Sequence, residues 1–288
     1  YWLSPLIFYV SYIYGQLDIV PTSILLIAYY FLYKNKFKLS GIFFGLTIAA
    51  KLSFLLVTPF PLIYLWQNKR LIEGLKPFIK YLSAILFLLV LIPIISDGYR
   101  EMVLGTPQKE QLLWLNLPFN NDVSLYILPI IFLTLIYLMW RIKRSNFTLI
   151  LSITGLTLLL TTLLMPPSPG WYLWALPFLI IYQIKTDING KILISFFTIL
   201  PIIIIFPKNI FSTINLFNFK LQYNTEIINN LTQSLFYTFF IGIGFIIALK
   251  IYRESIQKND YHKLSKRAIA IGIAGGPSAG KETLSKAI

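Results

Sequence analysis

The sequence predicts an all-α protein: a polytopic transmembrane helix bundle of about eight to ten membrane segments spanning residues 1–250. A basic linker (251–267) follows, then the first strand, loop and helix start of a truncated α/β domain in 268–288. Three observations carry this reading. Hydrophobic residues make up 57% of the 288-residue chain and charged residues 12%, whereas soluble domains run near about 45–50% and about 25%. Lys and Arg fall in short clusters between apolar runs, the pattern of cytoplasmic loops in bilayer proteins. The last twenty residues depart from both patterns and read as a glycine loop between a strand and a helix.

The clusters account for the formal charge of +14, so the partner they imply is the lipid bilayer and no nucleic acid. The chain has no cysteine and His262 is its single histidine. That composition excludes a disulfide framework, a thiolate nucleophile and a multi-histidine metal cluster, and no metal site is predicted in the membrane part.

The basic clusters set the order of the segments. Lys34, Lys36 and Lys38; Lys69, Arg70, Lys76 and Lys80; Arg141, Lys143 and Arg144; Lys185 and Lys191; and the basic residues between 250 and 267 are all assigned to the cytoplasm. The chain opens inside an apolar run without an initiating Met and reads as a fragment at both ends. Residues 1–14 are then the outward half of a span, and 15–18 lie at the external face. Residues 19–33 descend and 78–96 rise to a polar external segment, 97–123, carrying Asp97, Glu101, Glu110 and Asp122. Residues 124–140 return, 147–164 go out to an external Pro-rich turn at 165–170, and 171–184 come back. Residues 191–206 exit to a polar loop at 207–233, and 234–250 return to the basic linker, which leaves 268–288 in the cytoplasm.

Residues 39–66 break the alternation, because this apolar run lies between two clusters that both belong inside. Two half-depth helices joined near Lys51, or two short spans, restore the count, since a hydrocarbon core of about 30 Å needs about 20 helical residues. A lysine at that depth costs about 2.5–3.5 kcal/mol and calls for a polar cavity or an anionic partner; alternatively it snorkels to the interface. Asp18 is the first acid in the chain, with Glu73 the next. Its carboxylate can cap the following helix, where it meets the positive end of the dipole, or serve a ligand.

The string Tyr14-Gly15-Gln16-Leu17-Asp18, followed by Ser40-Gly41-Ile42-Phe43-Phe44-Gly45-Leu46 and Ala49-Ala50-Lys51, resembles motifs of polytopic GT-C glycosyltransferases. Residues 166–174, Pro-Pro-Ser-Pro-Gly-Trp-Tyr-Leu-Trp, are similar to that family's external aromatic and proline segment. The resemblance covers residues 1 to about 250 and implies a GT-C-like bundle that transfers a sugar from a polyprenyl-phosphate donor at the external face. It also implies an acidic base in a loop before residue 1, leaving the catalytic residue unknown in this sequence. Gln16 and Asp18 would hold sugar or acceptor, and Lys51 would offset donor phosphate charge. Trp171 and Tyr172 would stack on a sugar face, or else sit in the interfacial aromatic belt. Such a fold brings Asp18, the 166–174 segment and the 97–123 loop around one outward-facing cavity with Lys51 pointing into it.

Residues 268–274 form an apolar, β-prone run leading into Gly275-Gly276-Pro277-Ser278-Ala279-Gly280-Lys281 and a helix-like stretch. This is the order a P-loop needs. Backbone N–H groups and the helix N-terminus point at phosphates, glycines permit close approach, and the lysine reaches the β and γ oxygens. Gly275, Gly280 and Lys281 fit the spacing, while Glu282 stands where Ser or Thr would hold magnesium and Thr283 follows. A glycine-rich turn in an unstructured tail is the alternative. The string 272–288 closely resembles the N-terminus of uridine kinases and their phosphoribulokinase relatives. That resemblance implies nucleotide phosphate bound by Gly275, Gly276, Ser278, Gly280, Lys281 and Thr283, with ATP and Mg as cofactors once the domain is complete. Two functions follow from different classes: a membrane glycosyltransferase joined to the start of a kinase-like domain, or a nucleoside kinase whose membrane part is an anchor or transport module.

Overall fold

The computed structural model describes residues 4–105, 111–120, 123–165, 168–202, 215–216, 219–220 and 230–259. Gly275, Gly276, Ser278, Gly280, Lys281 and Thr283 lie outside the described residues, as does the linker beyond 259.

Helices dominate. α1 (Pro5–Phe8) runs into a π turn (Tyr9–Ile13), and α2 (Ile19–Tyr33) and α3 (Phe37–Ala50) form an antiparallel hairpin. A 3₁₀ stretch (Leu52–Val57) leads into α4 (Pro59–Gln67), and α5 (Leu75–Leu86) continues through irregular turns to Ile95. After a short helical segment at 97–104 come α6 (Ile127–Arg141), α7 (Phe147–Leu164), α8 (Tyr172–Lys185), α9 (Ile188–Leu200) and α10 (Asn230–Gln257). Among the described residues three helices, Ile72–Ile95, Phe147–Leu164 and Ser234–Gln257, are long and apolar enough to cross a membrane, which makes this a membrane protein. Six further apolar helices among the described residues are shorter, at 10–17 residues; at about 1.5 Å rise per residue such a length by itself falls short of a full hydrocarbon crossing.

The chain is not purely α-helical. Strands β1 (Asn116–Asn120) and β2 (Val123–Tyr126) pair antiparallel with a register irregularity between Pro118 and Asn120, and β3 (Asn215–Leu216) pairs with β4 (Phe219–Lys220). β1 and the second ribbon fall in segments expected to be polar external loops, whereas β2 takes the first residues of 124–140, expected to be the start of a span. Within the first ribbon, Leu, Phe, Val and Tyr cluster in runs too short for a helix, and strand pairing satisfies their backbone groups.

Residues 39–66 adopt two helices that meet at Lys51, whose extended backbone (φ −156°, ψ 111°) ends α3 before the 3₁₀ stretch begins. α3 lies against both α2 and α5, and its glycines permit the second contact. A Cβ on Gly41 would collide with the Phe78 carbonyl, and one on Gly45 would come within 2.7 Å of Ile85 Cβ. Spaced four apart, Gly41 and Gly45 form the small-residue face that lets membrane helices approach closely. α7 is the central helix: 72% of its window is buried against 11% for Ile72–Ile95. The Tyr29 hydroxyl bonds Thr154 Oγ1, tying α2 to α7 inside the core.

The basic end of the bundle is stitched by amides. Asn68 Nδ2 donates to the Ser145 carbonyl (3.3 Å), Asn146 Nδ2 to that of Lys258 (3.1 Å) and Asn259 Nδ2 to that of Arg144 (2.9 Å). Asn146 Oδ1 also accepts from the Leu149 N–H (2.8 Å) and caps α7. Asp187 caps α9 through the Gly190 N–H (3.0 Å) and accepts from Lys250 Nζ of α10 (2.5 Å). Lys250 first, and the Gly190 N–H second, hold the Asp187 carboxyl below its usual value.

Two outcomes follow. Gly41→Val forces α3 off α5 and lowers stability by about 1–3 kcal/mol, read as a reduced Tm of the detergent-solubilised protein. Because folding lowers the Asp187 pKa, its contribution is present above the unfolded-state value of 3.8 and lost as pH falls through the folded-state value. Asp187→Asn is therefore less stable than the parent at neutral pH, and thermal melts show the gap closing below about pH 4.

Candidate functional site

At the end of the bundle opposite the amide stitches, three separate segments deliver polar side chains to one place. The first is the turn before α2. Gly15 adopts φ 71°, a left-handed conformation that glycine takes without strain, and Gln16, Leu17 and Asp18 follow. Asp18 occupies the N-cap position of α2 yet makes no side-chain cap bond. Its Oδ1 instead accepts from Lys51 Nζ, the second contribution, and from Trp174 Nε1 of α8 (3.0 Å), the third. The capping role open to Asp18 in the sequence is thus not the one its carboxylate plays.

Trp174 holds both charges. Its N–H meets the carboxylate while the Lys51 ammonium sits 4.7 Å from its ring centroid, a distance at which the negative ring face attracts a cation. Phe54 from the 3₁₀ stretch (5.3 Å) and Trp171 (5.7 Å) pack on that indole. Trp171 and Trp174 are three residues apart and share a helical face. Gly170 closes the arrangement, since a Cβ there would collide with Asp18 Oδ2 and Gln16 Oε1. Gln16 Oε1 is buried with no hydrogen-bond partner among the described residues.

Asp18 and Lys51 line a cleft of about 600 Å³. Its walls are otherwise mostly apolar: Leu17, Pro21, Leu52 and Leu56 on one side, and Tyr99, Met102, Val103 and Leu112 from the 97–112 segment on the other. The Asp18 side chain is 8% exposed and that of Lys51 22%, so the pair is screened on one side and open to the cleft on the other. A cationic ammonium, an acceptor carboxylate and a phenol at one apolar mouth are suited to an amphiphile with a phosphate and hydroxyl groups.

Gln16, Asp18 and Lys51 therefore meet, and Trp171 reaches them through Trp174. Tyr172 does not join: its ring packs on Phe240 of α10 (5.5 Å) and it is buried. It is not among the residues that line the cleft described above. Burial of both Trp171 and Tyr172 within the protein also departs from a lipid-facing aromatic belt. Two members of the site, Trp174 and Gly170, lie in the 166–174 segment expected at this cavity but are not among the site residues singled out from the sequence. Their sequence signal is the Pro169-Gly170-Trp171 entry to a helix with a second Trp one turn on.

Removing one partner of a buried ion pair costs more than replacing both, because the survivor stays charged and unpaired. Lys51→Met lowers stability by roughly 1–3 kcal/mol, at the low end because Lys51 is partly solvated; the double variant Asp18→Asn with Lys51→Met recovers part of that loss in thermal melts. No family model, characterised protein or solved structure gives a significant match to this chain.

Proposed function

We propose that this chain is a multi-pass membrane glycosyltransferase of GT-C type that takes a sugar from a polyprenyl-phosphate donor. The observation that carries the reading is the meeting of Asp18, Lys51 and Trp174 at the wall of an apolar cleft. A polyprenyl-phosphate sugar combines an apolar tail, a phosphate and a polyhydroxyl head, and the cleft offers a counterpart to each. Its leucines and Met102 suit the tail. The Lys51 ammonium has further N–H donors for the phosphate, whose negative charge grows as the bond from sugar C1 to phosphate oxygen breaks. Asp18 accepts from sugar hydroxyls, and Gln16, whose Oε1 is buried beside Gly170, stands behind it. Trp171 supports the indole that fixes both charges, so its part is positioning.

The distribution of Lys and Arg supports an orientation with the Asp18 end external and the amide-stitched basic end cytoplasmic. In that orientation the 268–288 sequence lies beside the cytoplasmic nucleotide pool, and its glycine spacing supports binding of nucleotide phosphate.

The test is transfer of radiolabelled sugar from polyprenyl-phosphate donors by the full chain in proteoliposomes. Asp18→Asn and Lys51→Gln each lower transfer by about 100-fold or more, as expected for groups aimed at developing charge, while melting and size-exclusion profiles confirm folding. Transfer at the parental rate by folded Asp18→Asn and Lys51→Gln would remove the site from the mechanism.

A further inference from the structure

The segment that forms the far wall of the cleft has a second surface. Among the described residues β1 and β2 pair only with each other, and β2 is exposed along its whole length. Trp114 is 62% exposed, Leu117 59% and Val123 58%, and Met102 and Ile95 nearby in sequence are more exposed still, at 79% and 80%. Asp122 is the sole charged residue in 111–126. A two-stranded hairpin with neither face packed is marginal in water, so something must cover these side chains.

We propose that the paired strands β1 and β2 lie in the lipid headgroup layer and set the cleft mouth at that depth. Three observations fix the occupant. The hairpin is bounded by apolar helices on both sides: Ile72–Ile95, of which 11% is buried, leads toward it through 97–104, and α6 begins at Ile127, directly after β2. It inherits a lipid-facing surface from its neighbours. Among the described residues no third strand pairs with either outer edge, and edge N–H and C=O groups without strand partners exclude the hydrocarbon core. The headgroup layer alone offers both water for those groups and acyl carbon for the Trp, Leu, Val and Tyr side chains, and it is where Trp and Tyr concentrate.

The cleft follows. Leu112 lines it and Trp114, two residues on, faces outward, so the hairpin stem is at once wall and lipid surface. A ligand with an acyl or prenyl tail then enters sideways from the bilayer with its polar head level with Lys51. This placement does not rest on sugar transfer and stands or falls separately.

The absence of cysteine makes single-site spin labelling direct. The full chain carrying Leu117→Cys or Val123→Cys is labelled and reconstituted in phosphatidylethanolamine and phosphatidylglycerol vesicles. Relaxation by oxygen, which partitions into lipid, is compared with relaxation by a water-soluble nickel chelate. Phe87→Cys on the exposed face of the Ile72–Ile95 helix and Asp97→Cys, whose parent side chain is 88% exposed, give the lipid and water references. The proposal expects oxygen-to-nickel ratios at 117 and 123 severalfold above that at 97 and below that at 87. Ratios equal to that at 97 place the hairpin in water and overturn it. Low accessibility to both probes, meaning cover by protein or a second copy, overturns it equally.

Discussion

The Asp18 carboxylate is the group on which the rest of this end of the bundle depends. It is held at 8% exposure, and a carboxylate taken out of water must be paired and hydrogen-bonded or pay several kcal/mol of desolvation. The chain meets that requirement with Lys51 and Trp174, brought from the end of α3 and from α8. Their convergence fixes where α2 starts, where α3 stops, and how α8 is rotated. Gly170 has no side chain because Asp18 and Gln16 already fill the space. An apolar trio would pack this position at lower cost, and retention of a charged pair beside an open cleft is the basis for reading it as a site.

The remainder of the fold presents that pair at a cleft. Gly41 and Gly45 let α3 close on α5, and the Tyr29–Thr154 bond ties α2 to the buried α7. Asn68, Asn146 and Asn259 join neighbouring turns at the opposite end through backbone carbonyls. Cross-links are therefore dense where the basic clusters lie. Among the described residues the Asp18 end shows fewer such bonds and carries the cleft, a division suited to a rigid base under the proposed site.

Much of the helical layout is legible in the sequence because long apolar runs leave few alternatives. The break at Lys51 is readable in the same way: one lysine deep in an apolar run demands a helix end and an anionic partner. Composition and spacing do not show that the partner is Asp18, because the pairing spans 33 positions and depends on how α2 and α3 pack; only the resemblance puts Asp18 and Lys51 at one cavity. Trp174 lies 156 positions from Asp18, beyond any local pattern. Tyr172 misleads for a helical reason: a rotation of about 100° per residue turns it from the face of Trp171 toward α10. The β1–β2 hairpin is hidden because Asp97, Arg100 and Glu101 make the surrounding segment look polar, whereas the apolar residues that matter begin at Leu112.

The proposed function puts a phosphate-bearing, apolar-tailed ligand beside Lys51. The most direct measurement is photo-crosslinking of the reconstituted full chain with a polyprenyl phosphate carrying a photoreactive group on the isoprene nearest the phosphate, mapped by peptide mass spectrometry. The account predicts adducts on the cleft walls, in residues 49–56 and 99–103 and at Leu112, competed away by unlabelled polyprenyl phosphate. Adducts confined to the lipid-facing surfaces of Ile72–Ile95 and α6, unaffected by competitor, would contradict it.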